Sequence, residues 1–185
     1  MTRLLVMLVV LALPVFGPGF QIPGQNAAQG EPGPEHGALA TFVGEWQVWL
    51  GSSDEPASGD PIGNATALMR LGGRFLEFEL EATAGPIRQA IYTFGFDRRH
   101  KLYTVVAMDN TGTYQVTGRG MAEGPRIAMY GTDEDPVMLS MGFEKEFAIA
   151  LHLVADDHIA IETIFIDTRT PERTEMPFLT FELRR

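Results

Sequence analysis

The sequence predicts an all-β fold, an antiparallel up-and-down β-barrel of about ten strands. Three observations carry this expectation. Arg74 to Ala84 alternates with a period of two. It sets Leu76, Phe78 and Leu80 against Glu77, Glu79 and Glu81, so one face is buried and the other wet. Extended runs follow one another with short Gly, Pro, Asn and Asp turns between them. No segment between the runs is long enough for the helix of a parallel crossover, so sequence neighbours pair antiparallel. Such a meander has two open edges unless it closes, and closure removes them. A two-sheet sandwich is the alternative. It needs Greek-key connections, and no long connection is there to supply them.

The elements follow in order. Gly37 to Val43 is expected to make one helical turn. Val43 to Leu50 is a strand, and Gly51 to Pro61 a polar loop. Asn64 to Leu71 is the second strand, punctuated by Gly72-Gly73. Arg74 to Ala84 turns at Gly85-Pro86 into Ile87 to Phe96. Asp97 to Lys101 leads to Leu102 to Asp109, then the turn Asn110-Thr111-Gly112. Thr113 to Gly118, Arg126 to Gly131, Val137 to Gly142 and Phe143 to Val154 come next. Asp156-Asp157 makes a hairpin turn. His158 to Asp167 and Glu175 to Leu183 complete the chain.

Composition narrows the function. The chain has 185 residues, 45% hydrophobic and 21% charged, which suits one globular domain. Its net charge of −10 repels phosphate backbones and anionic membrane surfaces. There is no cysteine, hence no disulfide, thiolate metal site or cysteine nucleophile.

Arg3 followed by the apolar run Leu4 to Leu13 and Pro14 has the pattern of an export signal. The run is short for a membrane span; an uncleaved anchor is the rival reading. The expected organisation is a signal peptide over 1–17, or to 28, and a disordered Pro/Gly-rich linker over 18–38. A barrel domain over 39–185 follows. The expected location is periplasmic or extracellular, with no membrane insertion after signal removal.

Gly44-Glu45-Trp46, Leu71-Gly72-Gly73-Arg74-Phe75-Leu76, Gly95-Phe96-Asp97 with Lys101 and Tyr103, and Asp109-Asn110-Thr111-Gly112 together resemble a bacterial family of unknown function. Its members have a lipocalin-like (calycin-type) barrel. The resemblance covers Leu39 to Arg185. The chain departs from the family at Phe96, where Tyr is commoner, and at Ala107, where an aromatic is common. The resemblance implies that Trp46 plugs the closed end beneath an arginine of the last strand, Arg184 or Arg185. Gly44, Trp46 and Arg184 are therefore the expected closure residues. The family brings no assigned activity.

The residues offer a container more than a catalyst. Phe78, Leu80, Tyr92, Phe94, Met108, Tyr114 and Met129 fall on expected inward faces and are the candidate lining of a lumen. They fit a filled core equally well. No Gly-x-Ser-x-Gly motif is present, and Ser52, Ser53, Ser58 and Ser140 lack a nucleophile-elbow context. Asp133-Glu134-Asp135 and Asp156-Asp157 sit in turns, where solvated acids are ordinary. Gly72-Gly73-Arg74 lacks the helix of a phosphate loop and is expected to be a turn with positive φ, Arg74 pairing with an acid at the rim. Asp109 to Gly112 lacks the later glutamate of a calcium loop.

His152 alternates with Phe147, Ile149, Leu151 and Leu153, which puts it on an outer face with Glu146, Ala148 and Ala150. A haem ligand is the sharper reading of it, a surface histidine the plainer one. No metal site or cofactor is expected.

Three functions follow in order. The first is a binding module for a small apolar or amphipathic molecule in the lumen. The second is a solid barrel with a structural or interaction role, the loop Gly51 to Pro61 being a contact surface. The third is an enzyme of isomerase or haem-dependent type.

Overall fold

Ten strands close into one antiparallel barrel in the computed structural model, which describes residues 30–51, 57–133, 145–167 and 174–185. The expected signal peptide, the linker as far as residue 29 and the strand Val137 to Gly142 lie outside the described residues. Glu31–Arg185 form one compact unit.

A short helix, α1 (Pro34–Ala40), precedes β1 (Gly44–Gly51), β2 (Gly63–Arg70), β3 (Phe75–Ala82), β4 (Gln89–Asp97) and β5 (Leu102–Asp109). Then come β6 (Val116–Glu123), β7 (Arg126–Asp133), β8 (Lys145–Ala155), β9 (His158–Asp167) and β10 (Thr174–Arg184). Each strand pairs with the next, and β1 pairs with β10 in the register Val48 opposite Leu183. The up-and-down barrel expected from the turns is therefore the observed fold.

The period of two decides which face is inside. Leu76, Phe78 and Leu80 of β3 point inward with Tyr92 and Phe94 of β4. Phe147, Ile149 and Leu151 of β8 and Phe181 and Leu183 of β10 meet them in one continuous core. Burying each such side chain stabilises the fold by roughly 1.5–3 kcal/mol.

Two boundaries differ from expectation. The helical turn lies at Pro34–Ala40 rather than Gly37 to Val43. Pro34, at its first turn, has no N–H to leave unpaired and its φ is preset for a helix. His36, assigned to the linker, accepts the Gly33 N–H at Nδ1 at 2.9 Å and is buried. The strand expected at Thr113 to Gly118 is β6, which starts at Val116 and runs to Glu123. Gly118 and Gly120 conceal it, because glycine has low strand propensity. Close packing of the wall requires them: a Cβ on Gly120 would collide with the Ala128 carbonyl of β7.

Candidate functional site

One end of the barrel is sealed by its own chain. Leu39 and Phe42 are buried beneath the strands, and His36 sets its ring edge-on to Phe96 at 6.1 Å. The Trp46 Nε1–H donates to the Phe42 carbonyl at 3.1 Å, so the indole is both buried and satisfied. The guanidinium of Arg185 lies 4.2 Å from the Trp46 ring centre and donates to the Val43 carbonyl at 2.6 Å.

The expected closure set is corrected in one member. Arg184 is not the cover of Trp46; it lies 5.1 Å from the ring of Trp49 on the outer wall. Alternation explains it. Leu183 points inward, Arg184 outward, and Arg185 follows the end of β10, where its side chain reaches over the Trp46 ring. Gly44 belongs to the closure as expected: its φ is +154°, and a Cβ there would stand 2.6 Å from Arg185 Nη2.

The middle of the barrel is dry. Any void that admitted water would expose its lining, yet Phe78, Leu80, Phe94 and Met129 are 0–1% exposed. Phe78 meets Phe94 edge-to-face at 5.9 Å, and Tyr92 stacks on Phe94 at 6.2 Å. Five candidate lining residues (Phe78, Leu80, Tyr92, Phe94 and Met129) thus sit inside, packed against one another.

Two candidates do not. Met108 is 40% exposed, because Val105 and Ala107 take the inward positions of β5 and Met108 falls on the outer wall. Tyr114 is 59% exposed, because it belongs to the turn before β6 and not to a strand.

Among the described residues no helix crosses the opposite end, the mouth of the barrel. Leu50, Ile62, Ile87, Val116 and Phe165 are half-buried there and pack on the core from above. Phe178 is the extra residue of a bulge in β10 and leans on Phe165 at 4.7 Å. Below this ring the Tyr92 side chain is buried, and among the described residues nothing accepts a hydrogen bond from its hydroxyl. Burial pushes the phenol well above its ordinary range, and the negative charge of Asp109 adds to the effect. Tyr92 is therefore a neutral phenol.

The turns behave as expected where they are described. Gly72 and Gly73 have φ of +68° and +83°. Arg74 donates to the Leu71 carbonyl at 2.8 Å, closing that turn. The Asp109 carboxylate accepts the Thr111 N–H at 2.7 Å, which makes the segment a hairpin turn. His100 is exposed and lies 2.8 Å from Asp97, and His152 is half-buried on the outer wall. Among the described residues no three His, Asp or Glu side chains are grouped to hold a metal ion.

The outer wall carries two polar assemblies that sequence reasoning did not find. Tyr130 of β7 donates to Glu175 of β10 at 3.0 Å, so the two side chains together span β8 and β9. Arg126 reaches Glu162 at 3.2 Å and Glu175 at 3.6 Å. Beneath them Ala148, Ala150 and Ile164 are buried in a second apolar cluster. The face of His152 was expected to be the outer one, and it is, yet much of it is buried. Alanines on β8 make a trough shallow enough for its neighbours to cover.

The second assembly centres on Glu182. It accepts the Ala57 N–H at 2.8 Å, pairs with Arg184 and lies 3.2 Å from His158. Burial would push this carboxyl up, but Ala57, Arg184 and His158 outweigh it and hold it below its ordinary range. With the Trp49 Nε1–H donating to the Gly59 carbonyl at 3.0 Å, they pin residues 57–59 to the wall.

A family profile described as a protein of unknown function (DUF1579) matches residues 31–185. The chain belongs to the DUF1579 family. No curated protein matches it. Among solved structures it is similar to a redesigned β-barrel, at 17% identity and a TM-score of 0.34. That match covers 80% of this chain and 94% of the other.

The matched span of this DUF1579 member runs from just before α1 to Arg185, so it takes in both barrel ends and both outer assemblies. The assemblies escaped the sequence because each joins residues far apart along the chain. The one available signal was a pair of acidic residues, Glu175 and Glu182, in a last strand rich in apolar residues.

Proposed function

We propose that this DUF1579 protein is an exported, non-enzymatic binding module that takes a small apolar or amphipathic molecule at the mouth of its barrel. The Tyr92 hydroxyl below the half-buried ring carries the reading. Among the described residues nothing accepts from it, so a ligand with an apolar body and one acceptor oxygen can take its hydrogen bond. The half-buried ring above Tyr92 supports an apolar body seated shallowly, over the dry centre rather than within it. Arg3 and the run Leu4 to Leu13 support export. Kinship with bacterial lipocalin-like (calycin-type) barrels is part of the same proposal.

Native mass spectrometry of the mature protein, with uptake of a hydrophobic fluorescent probe, tests this. The expected result is a co-purifying small molecule displaced by the probe, with Tyr92→Phe weakening probes that bear an acceptor oxygen by about tenfold. Absence of both a bound molecule and probe uptake would sink it.

A second reading rests on the 0–1% exposure of the central residues. A solid barrel is a stable scaffold, and its role is then to present its outer surface to a partner.

A further inference from the structure

We infer that the outer wall of β3, β4 and β5 holds a second binding site, separate from the mouth, for a small amphipathic cation. An open groove of about 400 Å³ lies there, within the size range of small-molecule sites. Its floor is the cross-strand pair Ile91 and Met108, each 40% exposed. Methionine and isoleucine side by side make an adaptable apolar surface. On the wall of β7 to β9 the apolar stripe is roofed by Tyr130 and Arg126. On this wall the pair remains partly open to solvent.

The rim sets the sign of the charge. Glu79 and Glu81 line the groove with Asp109. Glu79 shares Arg70 with Glu77, at 3.2 and 2.8 Å, so part of its charge is already answered. Glu81 stands opposite Gln89 across β3 and β4, and neither side chain has a partner among the described residues. Asn110 is fixed at the same end, its Oδ1 accepting the Arg88 and Gln89 N–H groups at 2.8 and 2.9 Å.

An ammonium group set against Glu81, its apolar body on Ile91 and Met108, answers both features at once. A carboxylate or sulfonate would meet three acids instead. No bond is made or broken; the site binds.

Octyltrimethylammonium, kept below its micelle concentration, is the probe. It is titrated into protein carrying ¹³C-methyl labels on Ile and Met, with octyl sulfonate as the anionic counterpart. The expected result is saturable shifts of the Ile91 and Met108 methyls with the cation, at an affinity at least about fivefold above the anion. Glu81→Gln is expected to cut cation binding by about fivefold and leave the sulfonate unchanged. Tyr92→Phe leaves the cation's affinity as it was, which separates this site from the mouth. Equal affinity for the two head groups overturns the proposal. So does the absence of shifts, or shifts confined to the mouth residues Ile62 and Ile87.

Discussion

The two ends of this barrel are built from similar apolar side chains to opposite effect. At the closed end the large rings are covered: Phe42 lies buried beneath the strands, Arg185 sits over Trp46 and His36 against Phe96. The described residues at the mouth leave Phe165 half-buried and Phe178 more than half exposed. The difference is not composition but cover. The closed end lies under α1 and the last residue. Apolar area withdrawn from water stabilises in proportion to its extent, so one end holds the fold and the other has surface to offer.

The largest test of that contrast is truncation at equal chemistry. Phe78→Ala in the dry centre, or Trp46→Ala at the closed end, is expected to cost about 3–5 kcal/mol in urea unfolding. Phe165→Ala at the mouth is expected to cost about 1–2 kcal/mol, since less of its surface is withdrawn. Equal losses would mean the mouth is packed as tightly as the centre.

Next comes the cover itself. In a Trp49→Phe background Trp46 is the sole tryptophan. Arg185→Ala is expected to red-shift its emission and cost about 0.5–2 kcal/mol. Arg184→Ala is expected to leave that emission in place and to loosen residues 57–59, seen as faster amide exchange at Ala57.

Acid titration separates two regions by their pH windows. His36 has its folded pKa lowered by burial, with Arg98 and Arg74 helping and Glu35 opposing. The neutral form therefore stabilises the fold above the ordinary value of 6.5, and that contribution is lost as pH falls from there toward the lowered folded value. Glu182 is lowered from 4.5, so its charge stabilises above that pH and is lost below it. Stability measured from pH 7.5 to 3.5 is expected to fall in two stages. His36→Asn removes the upper stage and Glu182→Gln the lower; a single stage unaffected by either variant contradicts the assignment.

The smallest effect is the most telling for the mouth. Tyr92→Phe removes a hydroxyl with no acceptor among the described residues, so the unliganded protein is expected to be as stable as before. A marked loss would mean that the hydroxyl has a partner after all.

Most of the barrel was legible because alternation and turn chemistry are local. Glu77, Glu79 and Glu81 announce β3 by themselves, and Asp156-Asp157 the hairpin between β8 and β9. The misplacements have local causes too. Two glycines disguise β6, and Met108 and Tyr114 sit where a slip of one residue, or a turn, changes which side is faced. The site was less legible because its parts are not neighbours in sequence. Nothing in the sequence around Tyr92 says that its hydroxyl lacks an acceptor. Nothing around Ala148 and Ala150 says that a tyrosine from the next strand lies across them. Such facts exist once ten strands have a register, and an arginine one residue further on than expected can hold the lid.

The seam between β1 and β10 has a consequence for how the molecule comes into being. It joins the first strand to the last, so it is the least local contact in the wall and pays the largest loop-closure cost. Until it forms, the growing sheet carries two unsatisfied margins able to recruit strands from other chains. Aggregation during refolding should therefore depend on how soon the tail finds the head, and cutting β10 short should turn a folded product into precipitate.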